Sequence, residues 1–481
     1  MNYPVIFHII GSVLVIMSLF MLAPIAISAA NGQPDLAAVI MSAAITLSVG
    51  LFLYFYTHRK KNDPMRHRDV FLAVTLCWLS VSFFGALPYM LSGSIKSFTS
   101  SYFEAVAGFT TTGATVVANI EALPMGILFW RSLTQWIGGM GIILFALAVL
   151  PFIGSGGVQL FKAEAPELTV DRLRPRIIDT AKVLWYIYAL LTLLAAALFH
   201  FGGMGWFDAV CHGFTTMATG GFSTKNASIA YYDSAYIDAV STLFMFMAGV
   251  NYTLYFNALR GDIGRFWQSS EFRFYITVTS LAIAGVALHE LDSYGSIVSS
   301  LRYASFQVVS IITTTGYATA DYEIWSHHSQ MLLMLLMFFG GMIGSTAGGM
   351  KQVRVLLMIK QGYREIYQLI HPRAVTSLKL DGKNISKELL GSIWGFLFLF
   401  LLICTVGMLF LTTLGVDLVT SATTVLSAIS NVGPALGTAG PTDNYASIPE
   451  AGKWVLIFCM LAGRLEIYTV VVLMVPIFWK K

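Results

Sequence analysis

Charge is what this chain has least of. Only 11% of its 481 residues are Asp, Glu, Lys or Arg, while 56% are hydrophobic; a soluble domain is about a quarter charged. That excludes a water-soluble fold and points to an integral membrane protein. The formal net charge is only +4, and the basic residues gather at the ends of apolar segments, not along a helix face or in a tail. Nucleic acid is thereby excluded as a partner. Cysteine is scarce as well: Cys77, Cys211, Cys404 and Cys459 stand at no ligand or redox spacing and read as buried packing residues. Catalytic constellations are missing. No His–Glu, Ser–His or metal-ligand spacing falls within the apolar spans, and the adjacent pairs His327-His328 and Cys211-His212 point to different helix faces, which counts against an intramembrane enzyme. A nucleotide-binding fingerprint is absent too, because the glycine cluster at 154–157 follows a membrane segment and not a strand.

What the chain does have is apolar length. A membrane helix needs about 20 mostly apolar residues. Ten stretches qualify: Val5–Ala30, Leu36–Tyr56, Val70–Leu91, Pro124–Ile153, Ala181–Phe201, Tyr236–Leu259, Phe272–Leu291, Gln330–Ile359, Leu389–Leu414 and Trp454–Trp479. The first lacks a basic leader region and is expected to be a retained helix. With alternating helices, 23 of the 29 Lys and Arg fall on one side, four (Lys96, Lys225, Arg302, Lys453) on the other, and Arg131 and Arg464 within spans. The positive-inside rule places the richer side, with both termini, in the cytoplasm.

A threonine run ending in glycine recurs between these spans. It reads Thr111, Thr112, Gly113; then Thr219, Gly220, Gly221; then Thr314, Thr315, Gly316; and, more weakly, Asn431, Val432, Gly433. Gly221 is aligned over Gly220 because Gly-Phe-Ser-Thr matches the Gly-Tyr-Ala-Thr of Gly316 onward, with a one-residue slip left open. Each run follows a shorter half-apolar segment, and all four face the same side. Parallel repeats about an axis along the membrane normal meet that condition; inverted repeats do not. The predicted fold is an all-α membrane protein of four pseudo-symmetric helix–pore-loop–helix repeats around one pore (69–180, 181–270, 271–385 and 386–481), preceded by a two-helix unit at 1–68. A small-residue pair also recurs in the second helix of each repeat: Gly138-Gly139, Ala248-Gly249, Gly340-Gly341 and Ala462-Gly463.

Four glycine loops round one axis suit a dehydrated monovalent cation. Backbone carbonyls replace its hydration shell without a full opposite charge, so release stays fast. No Asp or Glu lies within the four runs, which excludes a carboxylate ring of the divalent type. The segments Phe98–Thr110, Phe207–Ala218, Ile297–Ile312 and Leu418–Ile429 are predicted pore helices whose C-terminal ends, with their partial negative charge, point to the loops. Glu104, Asp208 and Asp417 are expected near the opposite ends as caps. The spacing from Glu104 to Gly113 is nine, whereas Asp208 to Gly221 is thirteen, which predicts an altered second pore helix or turn.

Two features suggest a gate. Gly340, Gly341, Gly344, Gly348 and Gly349, together with Ser345 and Thr346, fall inside one span, and glycine costs a helix about 1 kcal/mol per residue. The segment is expected either to unwind below the filter or to kink for packing. Arg464, in the last span, is expected to raise an electrostatic barrier, to contact the glycine-rich loop, or to sit in a buried ion pair without a transport role. Glu466, two positions on, should point elsewhere on the same helix.

Together these runs, the glycine-rich third inner helix, Arg464 and the extra N-terminal pair resemble the Trk/Ktr/HKT superfamily of potassium transporters over essentially the whole chain. The resemblance implies one pore per polypeptide, potassium as the favoured ion, a homodimer, and a multi-pass place in the bacterial inner membrane in contact with membrane lipid. It also implies a TrkA-like cytoplasmic ring of nucleotide-binding domains that docks on the basic loops. Only one glycine per run is consistent, which is expected to weaken discrimination against sodium. The competing expectation is a proton- or sodium-coupled symporter, for which Glu104, Asp208, His212 and Glu466 are the candidate ionisable groups.

Overall fold

A computed structural model describes residues 1–57, 66–149, 173–374 and 376–480. The basic stretches around 58–65 and 162–172 and the glycines at 154–157 lie outside the described residues. Among those described, the chain is helical, with one two-residue hairpin pairing Lys379–Leu380 with Lys383–Asn384. Among the described residues, six apolar stretches are long enough to span a membrane: Tyr3–Ala30, Leu36–Thr57, Arg68–Leu91, Ala181–Phe201, Ser270–His289 and Lys387–Thr413. The helix Met125–Val149 occupies the place of the fourth expected span.

Both termini meet at one end of the bundle. The Asn2 amide donates to the Asp69 carboxylate at 3.0 Å, and Arg68 reaches the Phe478 carbonyl at 3.2 Å. Alternating helices therefore carry the four glycine runs toward the other end, here termed the mouth end.

The first expected span is interrupted only at Met21, between Tyr3–Phe20 and Leu22–Ala30, but three others bend sharply or unwind. The stretch predicted as Tyr236–Leu259 splits into Ala235–Ala248 and Tyr252–Leu259, bent by 95°, and the stretch predicted as Trp454–Trp479 splits after Glu450–Arg464 with a bend of 115°. Hydropathy misses both breaks, because a bent chain is as apolar as a straight one. Asn251 marks the first: its side chain caps the new helix by accepting from the Thr253 amide. At the second, Glu466 and Ile467 adopt positive φ of 62° and 34°, so Glu466 lies off the helix that carries Arg464. The third break is the glycine-rich one: helix His327–Leu336 ends, residues 337–351 run non-helically, and Gln352–Ile370 resumes.

Four short helices, Phe98–Phe109, Trp206–Met217, Ile297–Ile312 and Leu418–Ser430, descend from the mouth end and stop just before the glycine runs. The recurring small residues have a steric cause. A Cβ on Gly138 would collide with the Phe109 carbonyl oxygen, and one on Gly463 with the Ile429 carbonyl oxygen, so the long helices touch the ends of the short ones backbone to backbone. On the mouth side, Glu290 anchors the third repeat by accepting from the Ser326 amide (3.0 Å) and the Ser329 hydroxyl (2.7 Å). Burial alone would raise its pKa, but the serine hydrogen bonds outweigh burial and hold it below the ordinary 4.5. Its folded pKa is depressed, so Glu290 stabilises the fold above pH 4.5 and that contribution is lost as pH falls through the folded value. Acid unfolding of Glu290→Gln should lack this component; a profile superimposable on wild type would contradict it.

Candidate functional site

The four glycine runs close a ring. A Cβ on Gly113 would fall inside contact distance of the Gly220 carbonyl oxygen, one on Gly221 against the Thr315 oxygen, one on Gly316 against the Val432 oxygen, and one on Gly433 against the Thr112 oxygen. Each run thus lays its glycine against the carbonyl of the next, in chain order, and the fourth returns to the first. The backbone repeats with it. Thr111, Thr219, Thr314 and Asn431 adopt φ of 52°, 52°, 57° and 56°, and Gly113, Gly221, Gly316 and Gly433 adopt φ of 79°, 75°, 79° and 107°. Left-handed φ at β-branched threonine is costly and persists only where surroundings enforce it. Here the short helices do so: Thr112, Gly220, Thr315 and Val432 donate their amides to Ala107, Thr215, Ser310 and Ser427 at 2.8–3.0 Å. The same phase in all four runs aligns Gly221, and not Gly220, with the other three glycines.

All four ring glycines line one cavity of about 100 Å³ that opens at the mouth end. On the other side lies the non-helical segment 337–351. Its Gly348 amide donates to the Thr314 hydroxyl at 2.7 Å, and its Thr346 hydroxyl donates to the Met217 carbonyl at 3.0 Å. Arg464 ties it from the fourth repeat: one nitrogen donates to the Thr346 carbonyl at 2.8 Å and another to the Gly138 carbonyl at 3.3 Å. Gly340 pairs with Met350 and Gln352, while the Met342 amide donates to the Gly249 carbonyl. Gly341 lies against that same carbonyl, Gly344 accepts from the Tyr252 amide, Ser345 bonds the Met342 carbonyl, and Gly349 stacks on Gly340. Residues of the second, third and fourth repeats therefore hold this segment beneath the ring, and Arg464 links it to the first through Gly138. Among the described residues no group of three or more His, Cys, Asp or Glu side chains is placed to hold a metal ion.

Comparison with known proteins agrees with this architecture. The TrkH family of cation transport proteins matches residues 36–481. The Trk system potassium uptake protein TrkH of Halomonas elongata is 41% identical over the full length of both chains, and that of Escherichia coli K12 is 40% identical over the same extent. The crystal structure of the potassium transporter TrkH from Vibrio parahaemolyticus superposes with a TM-score of 0.92 at 37% identity, covering both chains completely. This chain belongs to the TrkH family.

Within this family fold, buried polar residues lie behind the ring, and sequence reading misplaced Glu104 among them. Glu104 is not at the start of its short helix but within it, fully buried, nine residues before Gly113. It bonds the Val116 amide and Thr115 hydroxyl at 2.9 Å each and pairs with Arg131 at 2.9 Å. The position nine before Gly221 is His212, whose Nε2 meets the Ser223 hydroxyl at 2.9 Å; nine before Gly316 is Gln307, which bonds the Ala320 carbonyl at 3.2 Å. The equivalent of Glu104 is thus His212 and not Asp208, and the second short helix is twelve residues long, as is the first. Asp208, in a first turn, and Asp417, an N-cap accepting from Thr420, do sit at helix starts.

Arg131 and Gln135 carried no expectation beyond lying in a span. Arg131 also bonds the Ser223 carbonyl at 3.1 Å and lies 4.0 Å over the Phe222 ring, stitching the first run to the second. Gln135 brackets the second run by donating to the Gly220 carbonyl (2.6 Å) and accepting from the Phe222 amide (3.1 Å); a carbonyl has a second lone pair left for an ion. The available signal was an acid and a base both buried in apolar sequence, a pairing that costly intramembrane charges demand. Glu104→Gln should destabilise the protein by about 3–5 kcal/mol, since Arg131 is left buried and unpaired, and adding Arg131→Met should restore part of the loss. Unfolding in detergent measures both; an additive double variant would contradict the pairing.

Proposed function

We propose that this chain takes up potassium across the bacterial inner membrane, both termini cytoplasmic, with Thr112, Gly220, Thr315 and Val432 offering carbonyls to the ion. The cyclic closure of four glycines on four carbonyl oxygens supports this reading, because a ring of carbonyl oxygens suits a dehydrated monovalent cation. Relatives named as Trk potassium uptake proteins supply the ion. Segment 340–349, with Arg464, is the gate: hydrogen bonds that opening must exchange tie it beneath the ring, and these support the reading. The five chain segments work as the two-helix unit and four pore repeats, the protein acts as a homodimer, and a TrkA-like nucleotide-binding ring sets the gate from the cytoplasmic side.

The ionisable groups that coupling to protons or sodium would use are largely neutralised in pairs: Glu104 with Arg131, Asp208 with Lys225, and Glu466 with Arg354. Purified protein in liposomes should therefore pass potassium down its gradient without acidifying the lumen and without sodium. Uptake that required either would favour a coupled symporter.

A further inference from the structure

Four basic side chains stand toward the mouth end, and two of them have carboxylate partners. Lys225 lies 3.4 Å from Asp208, and Arg302 lies 2.7 Å from Asp238. Lys96 and Lys453 form no ion pair among the described residues, and both line a single open cavity of about 550 Å³ beside residues 116–119, the continuation of the first glycine run. Lys453 is only 6% exposed. Its ammonium donates to the Ala446 carbonyl at 3.2 Å and the Ser100 hydroxyl at 3.4 Å, which leaves one N–H and the Ser100 O–H to give. Glu450, one turn away, takes its hydrogen bond from Ser97.

The cavity rim is also marked as an interface. Phe98 and Trp454, 41% and 44% exposed, approach with ring centroids 6.4 Å apart, and Trp454 directly follows Lys453. Exposed tryptophan at the end of an apolar helix sits at headgroup depth. The volume lies within the range of small-ligand pockets, about 300–1,000 Å³.

We propose that this cavity binds the phosphate of an anionic phospholipid headgroup, held by the ammonium groups of Lys453 and Lys96 and the hydroxyl of Ser100. Glu450 attracts the buried Lys453 ammonium through space but forms no ion pair with it, and a phosphate in the cavity meets the ammonium directly through charge-assisted hydrogen bonds. One further support rests on the transport reading above: two positive charges outside any ion pair beside the mouth would repel entering cations, and a bound phosphate offsets them.

The test reads lipid binding and not transport, so its failure and that of the carbonyl ring are separable. Native mass spectrometry of the full chain titrated with phosphatidylglycerol or phosphatidylcholine should show selective phosphatidylglycerol retention. Lys453→Gln and Lys96→Gln should each weaken it about tenfold, the worth of one charge-assisted hydrogen bond, while Lys453→Arg retains it. Lys96 is exposed, so its variant reports binding even if Lys453→Gln fails to fold. Equal retention by wild type and Lys96→Gln would overturn the site. Displacement of phosphatidylglycerol by inorganic phosphate would assign the cavity to free phosphate and overturn the lipid source.

Discussion

Gly113→Ser and Gly316→Ser should each cut the preference for potassium over sodium about tenfold or more, equivalent to roughly 1.4 kcal/mol between the two ions' barriers. Both glycines hold φ of 79°, where an L side chain is strained. The strain is the smaller effect. A Cβ at Gly113 runs into the Gly220 carbonyl and one at Gly316 into the Val432 carbonyl, so the added atom displaces the very oxygens proposed as ligands. Because each glycine braces the next run, a displacement at one point spreads round the ring. Competitive potassium and sodium flux into liposomes measures the effect. An unchanged ion preference in both variants, with flux retained, would remove these glycines from the selectivity argument.

The second large effect concerns the segment beneath the ring. Arg464→Ala, and more mildly Thr346→Ala, should raise potassium flux in the absence of any cytoplasmic partner. Arg464 bonds both the Thr346 carbonyl and the first repeat's Gly138 carbonyl, and a hydrogen bond from a charged group is worth about 1.5–3 kcal/mol. Losing it shifts the balance toward an open segment by about tenfold or more. Thr346→Ala removes only the hydroxyl bonds to Met217 and Ala248 and should give a smaller rise. Flux that stays at the wild-type level in a folded Arg464→Ala protein would contradict the gating role.

Much of this was legible in the sequence because the ring depends on backbone. Threonine and glycine recur where left-handed φ and close approach demand them, so the pattern survives in Thr111 to Gly113 and in Thr314 to Gly316 almost unchanged. Where Asn431 replaces threonine, the conformation is kept by a residue that tolerates it, with its side-chain Nδ2 donating to the Thr112 hydroxyl at 3.0 Å. The unwinding of 340–349 was legible for the same reason. The breaks at Gly249–Asn251 and Leu465–Ile467 were not, since hydropathy records polarity and not direction. Nor was the buttress of Glu104, His212 and Gln307, because one helix position is filled by three side-chain chemistries that share only the ability to reach a backbone or hydroxyl partner. Counting acids aligned Asp208 with Glu104; counting back from the glycine aligns His212.

Crystals soaked in rubidium or thallium salts give the most direct test. Anomalous density should lie on the axis bounded by the carbonyls of Thr112, Gly220, Thr315 and Val432, and should vanish in Gly113→Ser. Density confined to surface carboxylates, or an axis without a peak, would contradict a carbonyl-lined cation path.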